Sequence, residues 1–338
     1  MVARREWLAA ATRITPVTGS RWVAARAALT MLTALSVLWR AGALDHAAYA
    51  TFGAFASVYG GTARTSTRWR LQAAIGALLT TAVGCGAVIG TFEHRAWLSV
   101  PVAAAWAAGA AWLSGRFAWR PPGPMFAVFA VSTCAAIPAR ASDIGPAVLT
   151  AALTAVFAVA LGVLETRLLG RTDGPPAAAT ATPAVRCAIA VALAGSITTA
   201  SGIGHPYWAM TASVVPLAVI GLHHQVARGL NRVAGTVVGL GVAAVLLMLP
   251  LPALVVIVLV AGCQALTELL VVRHYAAALV FITPLALLVG QLADRQPVGE
   301  LLLSRLLETA IGVCVGVAVA VATRPRDRPP LFPASGSG

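Results

Sequence analysis

The residues of this chain best equipped for chemistry come in matched pairs. Arg26 and Arg186 each stand near the start of an apolar stretch, His46 and His205 follow, and the arginine pairs Arg64/Arg68 and Arg228/Arg232 come next at i, i+4 spacing. From Arg26 to Gly90 and from Arg186 to Pro250 the order of features is the same: arginine, apolar span, histidine, short apolar span, arginine pair, glycine-rich span. An ionisable side chain at membrane depth is costly and is a functional candidate by default. Arg26 and Arg186 could hold an anionic substrate group, or snorkel to lipid phosphate at a helix end. On a helix, Arg64 with Arg68 and Arg228 with Arg232 would each project from one face, giving two basic collars at a cytoplasmic mouth; topology alone would also place arginines there. Glu268 and Glu308 fall at the edges or inside apolar stretches and are the candidates for proton coupling, with pairing to an arginine as the alternative; Arg305 is the near neighbour of Glu308. As histidines, His46 and His205 could titrate in the physiological range and couple to protons, or simply cap helix ends. Tyr207, Trp208 and Thr211, just after His205, add an aromatic wall and a hydroxyl to the candidate substrate-binding set.

The elements that must carry these residues are transmembrane helices. Hydrophobic residues make up 59% of the chain and charged residues 10%, with mean hydropathy +0.85, whereas soluble domains average about 25% charged residues. About 20 apolar residues cross roughly 30 Å of hydrocarbon, and the chain offers twelve candidate spans, some short. The spacing predicts an all-α integral membrane protein whose halves are two parallel six-helix repeats related by a pseudo-two-fold axis along the membrane normal. The expected division is a cytoplasmic tail over 1–21, a first repeat over 22–170, a linker over 171–184 rich in Pro, Ala and Thr, a second repeat over 185–323 and a tail over 324–338. Spans two (Ala47 to Gly61) and eight (Tyr207 to Leu222) are short, and Pro216 interrupts the second of them. Matched short or broken segments point to a transporter's substrate site, because irregular backbone at depth is tolerated where it lines a cavity. Pro138, ending span five, and Pro284, inside span eleven, predict a second broken pair.

All 24 basic residues are arginine, and most fall in segments on one side if the N-terminus is cytoplasmic. The expectation is a bacterial-type inner membrane protein with both termini inside; Arg40, Arg95, Arg140, Arg295 and Arg305 then lie on the other side. The net charge of +13 reflects topology and anionic lipid, and no basic soluble domain is present to hold nucleic acid. The arginine-rich start, leading into a full-length span without a small-residue cleavage site, reads as uncleaved. Cys85, Cys134, Cys187, Cys263 and Cys314 fall within spans without CxxC spacing, so buried thiols are expected, with no disulfide framework, metal or cofactor. Glycines spaced as in Gly235-x-x-x-Gly239 and Gly312-x-x-x-Gly316 predict close helix contacts. The chain lacks GxSxG, GxxxxGK[ST] and HExxH, so neither an enzyme nor a nucleotide-driven pump is expected. Ser335-Gly336-Ser337-Gly338 reads as a linker outside the fold.

The run His205-Pro206-Tyr207-Trp208-Ala209-Met210-Thr211, followed by Arg228-x-x-x-Arg232-x-x-Gly235-Thr236-x-x-Gly239, resembles the fusaric acid resistance family, which overlaps with the aromatic acid exporters. Tyr275 to Pro284 and Arg305-x-x-Glu308-Thr309-x-x-Gly312 are also similar to it, and His46 to Ala50 with Arg64-x-x-x-Arg68 is a weaker copy. The resemblance implies six-helix bundles and proton-driven export of organic, often aromatic, carboxylates. A distant similarity to plant malate channels keeps a passive anion channel open, and a non-transporting scaffold for cell-envelope enzymes is a third reading. Long members carry a cytoplasmic helical domain after each six-span unit that has no counterpart in this sequence. The expected partners are a small anionic or aromatic substrate and membrane lipid, with a homo-oligomer left open.

Overall fold

The computed structural model describes residues 20–61, 67–169 and 183–324. Among them the secondary structure is helical: α1 (Ser20–Arg40), α2 (Ala47–Ala54), α3 (Arg68–Gly90), α4 (Arg95–Phe117), α5 (Met125–Ala136), α6 (Ala141–Leu169), α7 (Ala184–Ala200), α8 (Tyr207–Ser213), α9 (Leu222–Met248), α10 (Ala253–Leu270), α11 (Tyr275–Ala293) and α12 (Val298–Ala322). Eight of these, α1, α3, α4, α6 and α9 to α12, are long and apolar enough to cross a membrane. The other four are shorter, down to 8 residues in α2 and 7 in α8. Twelve full spans are therefore more than helix length alone supports.

The packing is that of a protein in lipid. On α6, Ala147, Ala151, Ala155 and Ala158 are buried while Leu149, Leu153 and Val156 are exposed. Small residues face neighbouring helices and large apolar ones face outward, because close backbone approach replaces the hydrophobic effect as the source of helix association. A β-carbon at Gly312 or Gly316 would collide with the carbonyl oxygens of Ala209 and Ser213, which seats α12 directly on α8.

Helix pairing repeats along the chain. In the first six helices α3 packs on α5 and α6, α4 on α5, and α2 on α1 and α6; six helices later α9 packs on α11 and α12, α10 on α11, and α8 on α7 and α12. The contacts between the two groups are reciprocal as well, with α1 on α10 matched by α7 on α4, and α2 on α11 matched by α8 on α5.

The two short helices share a local plan. Each leads into a 3-10 turn (Phe55–Val58, Pro216–Ala218), then an extended residue (Tyr59, ψ 158°; Val219, ψ 155°), and a glycine of positive φ follows closely (Gly60, +83°; Gly221, +90°). Pro216 lacks an N–H and its ring would clash with the carbonyl of residue 212 in a continuing helix, so α8 stops at Ser213. At 1.5 Å per residue α2 is about 12 Å long, well under the hydrocarbon thickness. All of its residues are buried, as irregular backbone at membrane depth requires.

Two expectations change here. The break expected at Pro284 is absent, since α11 runs through it from Tyr275 to Ala293. Its neighbour Thr283 sits tightly against Gly239 of α9, so packing holds the helix together across the missing N–H. Cys314 is exposed on α12, whereas Cys134, Cys187 and Cys263 are buried.

Candidate anion-binding cavity

A cavity of about 120 Å³ lies between the two groups of six helices. Phe55 and Val58 from the turn after α2, and Phe126 and Phe129 from α5, form its apolar side. Trp208 and Thr211 of α8, Arg228 and Arg232 of α9, Glu268 of α10, Tyr275 of α11 and Arg305 of α12 complete the lining, with Trp208 in ring contact with Phe129 at 5.0 Å between centroids. The volume is close to that of an engineered apolar cavity of roughly 150 Å³ that holds benzene.

The charged groups are fixed by aromatic neighbours. The Arg305 guanidinium lies 3.6 Å from the centroid of the Trp208 ring, and that of Arg228 lies 4.0 Å from the Tyr275 ring. Arg232 Nη1 donates to Tyr275 Oη at 3.1 Å. Arg305 and Arg232 are only 1% and 3% exposed. Yet Nε and Nη1 of Arg305, Nε of Arg228 and Arg232, and Trp208 Nε1 have no hydrogen-bond partner, nor do the Thr211 and Thr267 hydroxyls. Three guanidinium groups share the wall with one carboxylate, Glu268, whose Oε1 accepts from Gln264 Nε2 at 2.9 Å. Buried donors without acceptors cost about 1–3 kcal/mol each, more when charged, and an oxyanion would satisfy them.

The predicted residues divide between this wall and its supports. Trp208, Thr211, Arg228, Arg232 and Glu268 line the cavity, whereas Arg26, Arg186, His46, His205, Tyr207 and Glu308 do not. Arg26 donates to Ser57 O from Nε (2.9 Å) and Nη2 (2.7 Å), and to Tyr59 O (3.4 Å), and forms an ion pair with Glu165. It holds the carbonyl end of the broken segment after α2, and Glu268 faces it across the α1–α10 contact. Arg68 Nη1 reaches Glu165 Oε1 at 3.5 Å and Thr166 Oγ1 at 3.3 Å. Arg186 donates to Ala320 O on α12 at 3.2 Å. His46 Nδ1 meets Thr150 Oγ1 at 3.2 Å. Tyr207 packs behind Trp208, ring centroids 4.8 Å apart.

The collar expected at a solvent edge needs correcting for the residues described. Arg68 and Arg232 are buried and Arg228 half-buried, because α3 starts at Arg68 itself and α9 starts at Leu222, ahead of both its arginines, so the helices carry them into the bundle; Arg64 lies outside the described residues. Glu308 Oε1 accepts from the His205 backbone N–H at 2.6 Å, at the start of α8, and attracts Arg305 without touching it in a direct ion pair. Arg305 itself lies within a helix and is not in a loop. Helix α12 starts at Val298, so Arg305 sits two turns inside it. His205 lies in the loop before α8, its Nε2 2.9 Å from Gln296 Oε1; burial pulls its pKa below the ordinary value, and the Gln296 hydrogen bond opposes that shift.

Arg305, Tyr275 and the phenylalanines of α5 were not expected in the wall from sequence. The Arg305-x-x-Glu308 spacing on a helix that packs through Gly312 was the available signal for the first.

Every cationic group of the wall lies in the second half of the chain, where a family match is also found. Residues 189–319 match the fusaric acid resistance protein-like family. The match runs from α7 to α12 and includes Trp208, Arg228, Arg232, Glu268 and Arg305. An uncharacterized membrane protein of Bacillus subtilis (strain 168), YvaC, is 31% identical over 134 residues, which is 38% of this chain and 21% of that relative. The matched stretch thus spans about a fifth of the curated relative's length. No solved structure is detectably similar. With its apolar helices, this is a multi-pass membrane protein that carries a fusaric acid resistance-like region over residues 189–319.

Proposed function

We propose that this protein is a secondary transporter that exports small organic carboxylates, anionic and mostly aromatic, through the cavity between α8 and α5. The observation that carries this reading is that Arg228, Arg232 and Arg305, which carry buried donors without partners, line one cavity together with Phe55, Phe126 and Phe129. A carboxylate would take the donors and a planar apolar body the rings. The recurrent helix pairing supports two parallel six-helix repeats with the site at their interface. The arginine distribution supports cytoplasmic termini in an inner membrane.

Of the two carboxylates proposed for proton coupling, Glu268 is the better placed. It lines the cavity, whereas one oxygen of Glu308 is committed to the α8 N-terminus. A carboxylate at a membrane cavity is a proton-relay candidate by default. The excess of three guanidinium groups over one carboxylate favours a second reading, a passive anion channel, since an anion would be attracted without any proton step. Purified protein in sealed vesicles separates them: [¹⁴C]benzoate flux driven by an imposed pH gradient, lost in Glu268→Gln, supports the coupled transporter. Downhill conduction indifferent to the pH gradient supports the channel, and absence of benzoate binding and flux overturns both.

A further inference from the structure

Beyond Trp208, away from the arginine pair, the cavity is closed by a compact apolar cluster. Trp208, Leu240, Ala243, Leu287 and Leu301 are buried in it, drawn from α8, α9, α11 and α12, and Phe129 of α5 packs against it from the other group of helices. On one side the cluster shares Trp208, Phe129 and Ala286 with the cavity wall. On the other side it meets two clefts of about 390 and 580 Å³, sharing Leu247 with the first and Leu301 with the second. Gln296 belongs to both clefts, and His205 and Glu300 to the larger one, so polar surface resumes directly past the apolar layer.

We propose that this cluster is the closed gate between the anion cavity and the clefts at the His205 end; the inference rests on the anion-site reading above. An apolar constriction blocks ions by excluding the water they would carry. The layer is latched by polar contacts on its flanks: Arg305 stacks on Trp208 at 3.6 Å, Glu308 accepts from the His205 backbone at 2.6 Å, and His205 meets Gln296 at 2.9 Å. Because Gly312 and Gly316 of α12 lie directly on the α8 backbone, α8 and α12 shift together when the gate opens. Neither Leu287 nor Leu301 lines the anion cavity, so the gate can be weakened without touching the binding wall.

The test is nitrate leak from sealed vesicles carrying Leu287→Ala or Leu301→Ser, with benzoate binding to the same preparations as the check on folding. The expected result is nitrate efflux raised on the order of tenfold in at least one variant, with benzoate affinity as in the unaltered protein. Efflux at the unaltered rate in both variants while both bind benzoate overturns the gate. Failure of the unaltered protein to bind benzoate overturns the anion site and the gate with it. Leu287→Met, which keeps the volume, should remain closed; a leak from it as large as from Leu287→Ala would also overturn the assignment.

Discussion

The two arginine centres of this protein sit on matching elements and do different things. In the first half, Arg26 and Arg68 converge on Glu165, and Arg26 also closes the carbonyls of Ser57 and Tyr59. In the second half, Arg228, Arg232 and Arg305 converge on a cavity, where aromatic faces and a phenol hold them and several of their donors go unmatched. A carboxylate in direct contact with the guanidinium groups makes the difference, since Glu268 lines the second centre without forming an ion pair there. Where α6 supplies Glu165 the guanidinium groups become struts of a broken helix; where α12 supplies Arg305 the same kind of scaffold keeps positive charge available for a ligand.

The largest effect should come from breaking the first centre. Glu165→Gln leaves two buried guanidinium groups without their carboxylate, and removal of one partner of a buried pair costs about 3–5 kcal/mol. The expected outcome is a clear loss of thermal stability in detergent, read by unfolding of the purified protein. Arg305→Gln should do the reverse: a smaller loss of stability, because Arg305 makes no direct ion pair with a carboxylate, and benzoate affinity weakened by about tenfold or more, in line with hydrogen bonds to charged groups worth about 1.5–3 kcal/mol. Calorimetric titration measures it. Arg186→Gln, which gives up a bond to a backbone carbonyl outside the cavity, should leave that affinity within about twofold.

A smaller effect is expected from Trp208→Leu, which keeps an apolar side chain but removes the ring under Arg305. The loss should fall in the cation–π range of about 0.5–2 kcal/mol, visible as weaker benzoate binding. The smallest concerns His205. Burial lowers its pKa, so the unfolded state binds the proton more readily and the folded protein is favoured by a neutral ring. That contribution is complete above the ordinary value of about 6.5 and is lost as pH falls through the lower folded value. Unfolding scans between neutral and mildly acidic pH should show a steeper loss in the unaltered protein than in His205→Asn.

Much of this was legible along the chain. The short spans near His46 and His205 were visible because an apolar run too brief for a bilayer, with a proline in one copy, marks a helix that stops at membrane depth. The arginine pairs were visible from i, i+4 spacing, but their burial was not, since helix starts are set by packing and α3 and α9 reach back past the hydropathy edge. The start of α12 was hidden for the same reason: the polar residues from Gln291 to Ser304 lower local hydropathy and mask its first two turns, Arg305 included. Glu165 escaped notice because it falls just past the apolar run of α6, and its partner Arg26 is 139 residues away. A pairing at that separation leaves no local trace in the sequence.

The most direct test of the account is the position of a bound heavy-atom carboxylate. In a structure of the protein with 4-bromobenzoate, the carboxylate should lie against Arg305 and Arg232, with the bromine's anomalous signal on the side of Phe126 and Phe129. A ligand bound instead at Arg26 or Arg186, with the cavity between α5 and α8 left unaltered, would contradict it.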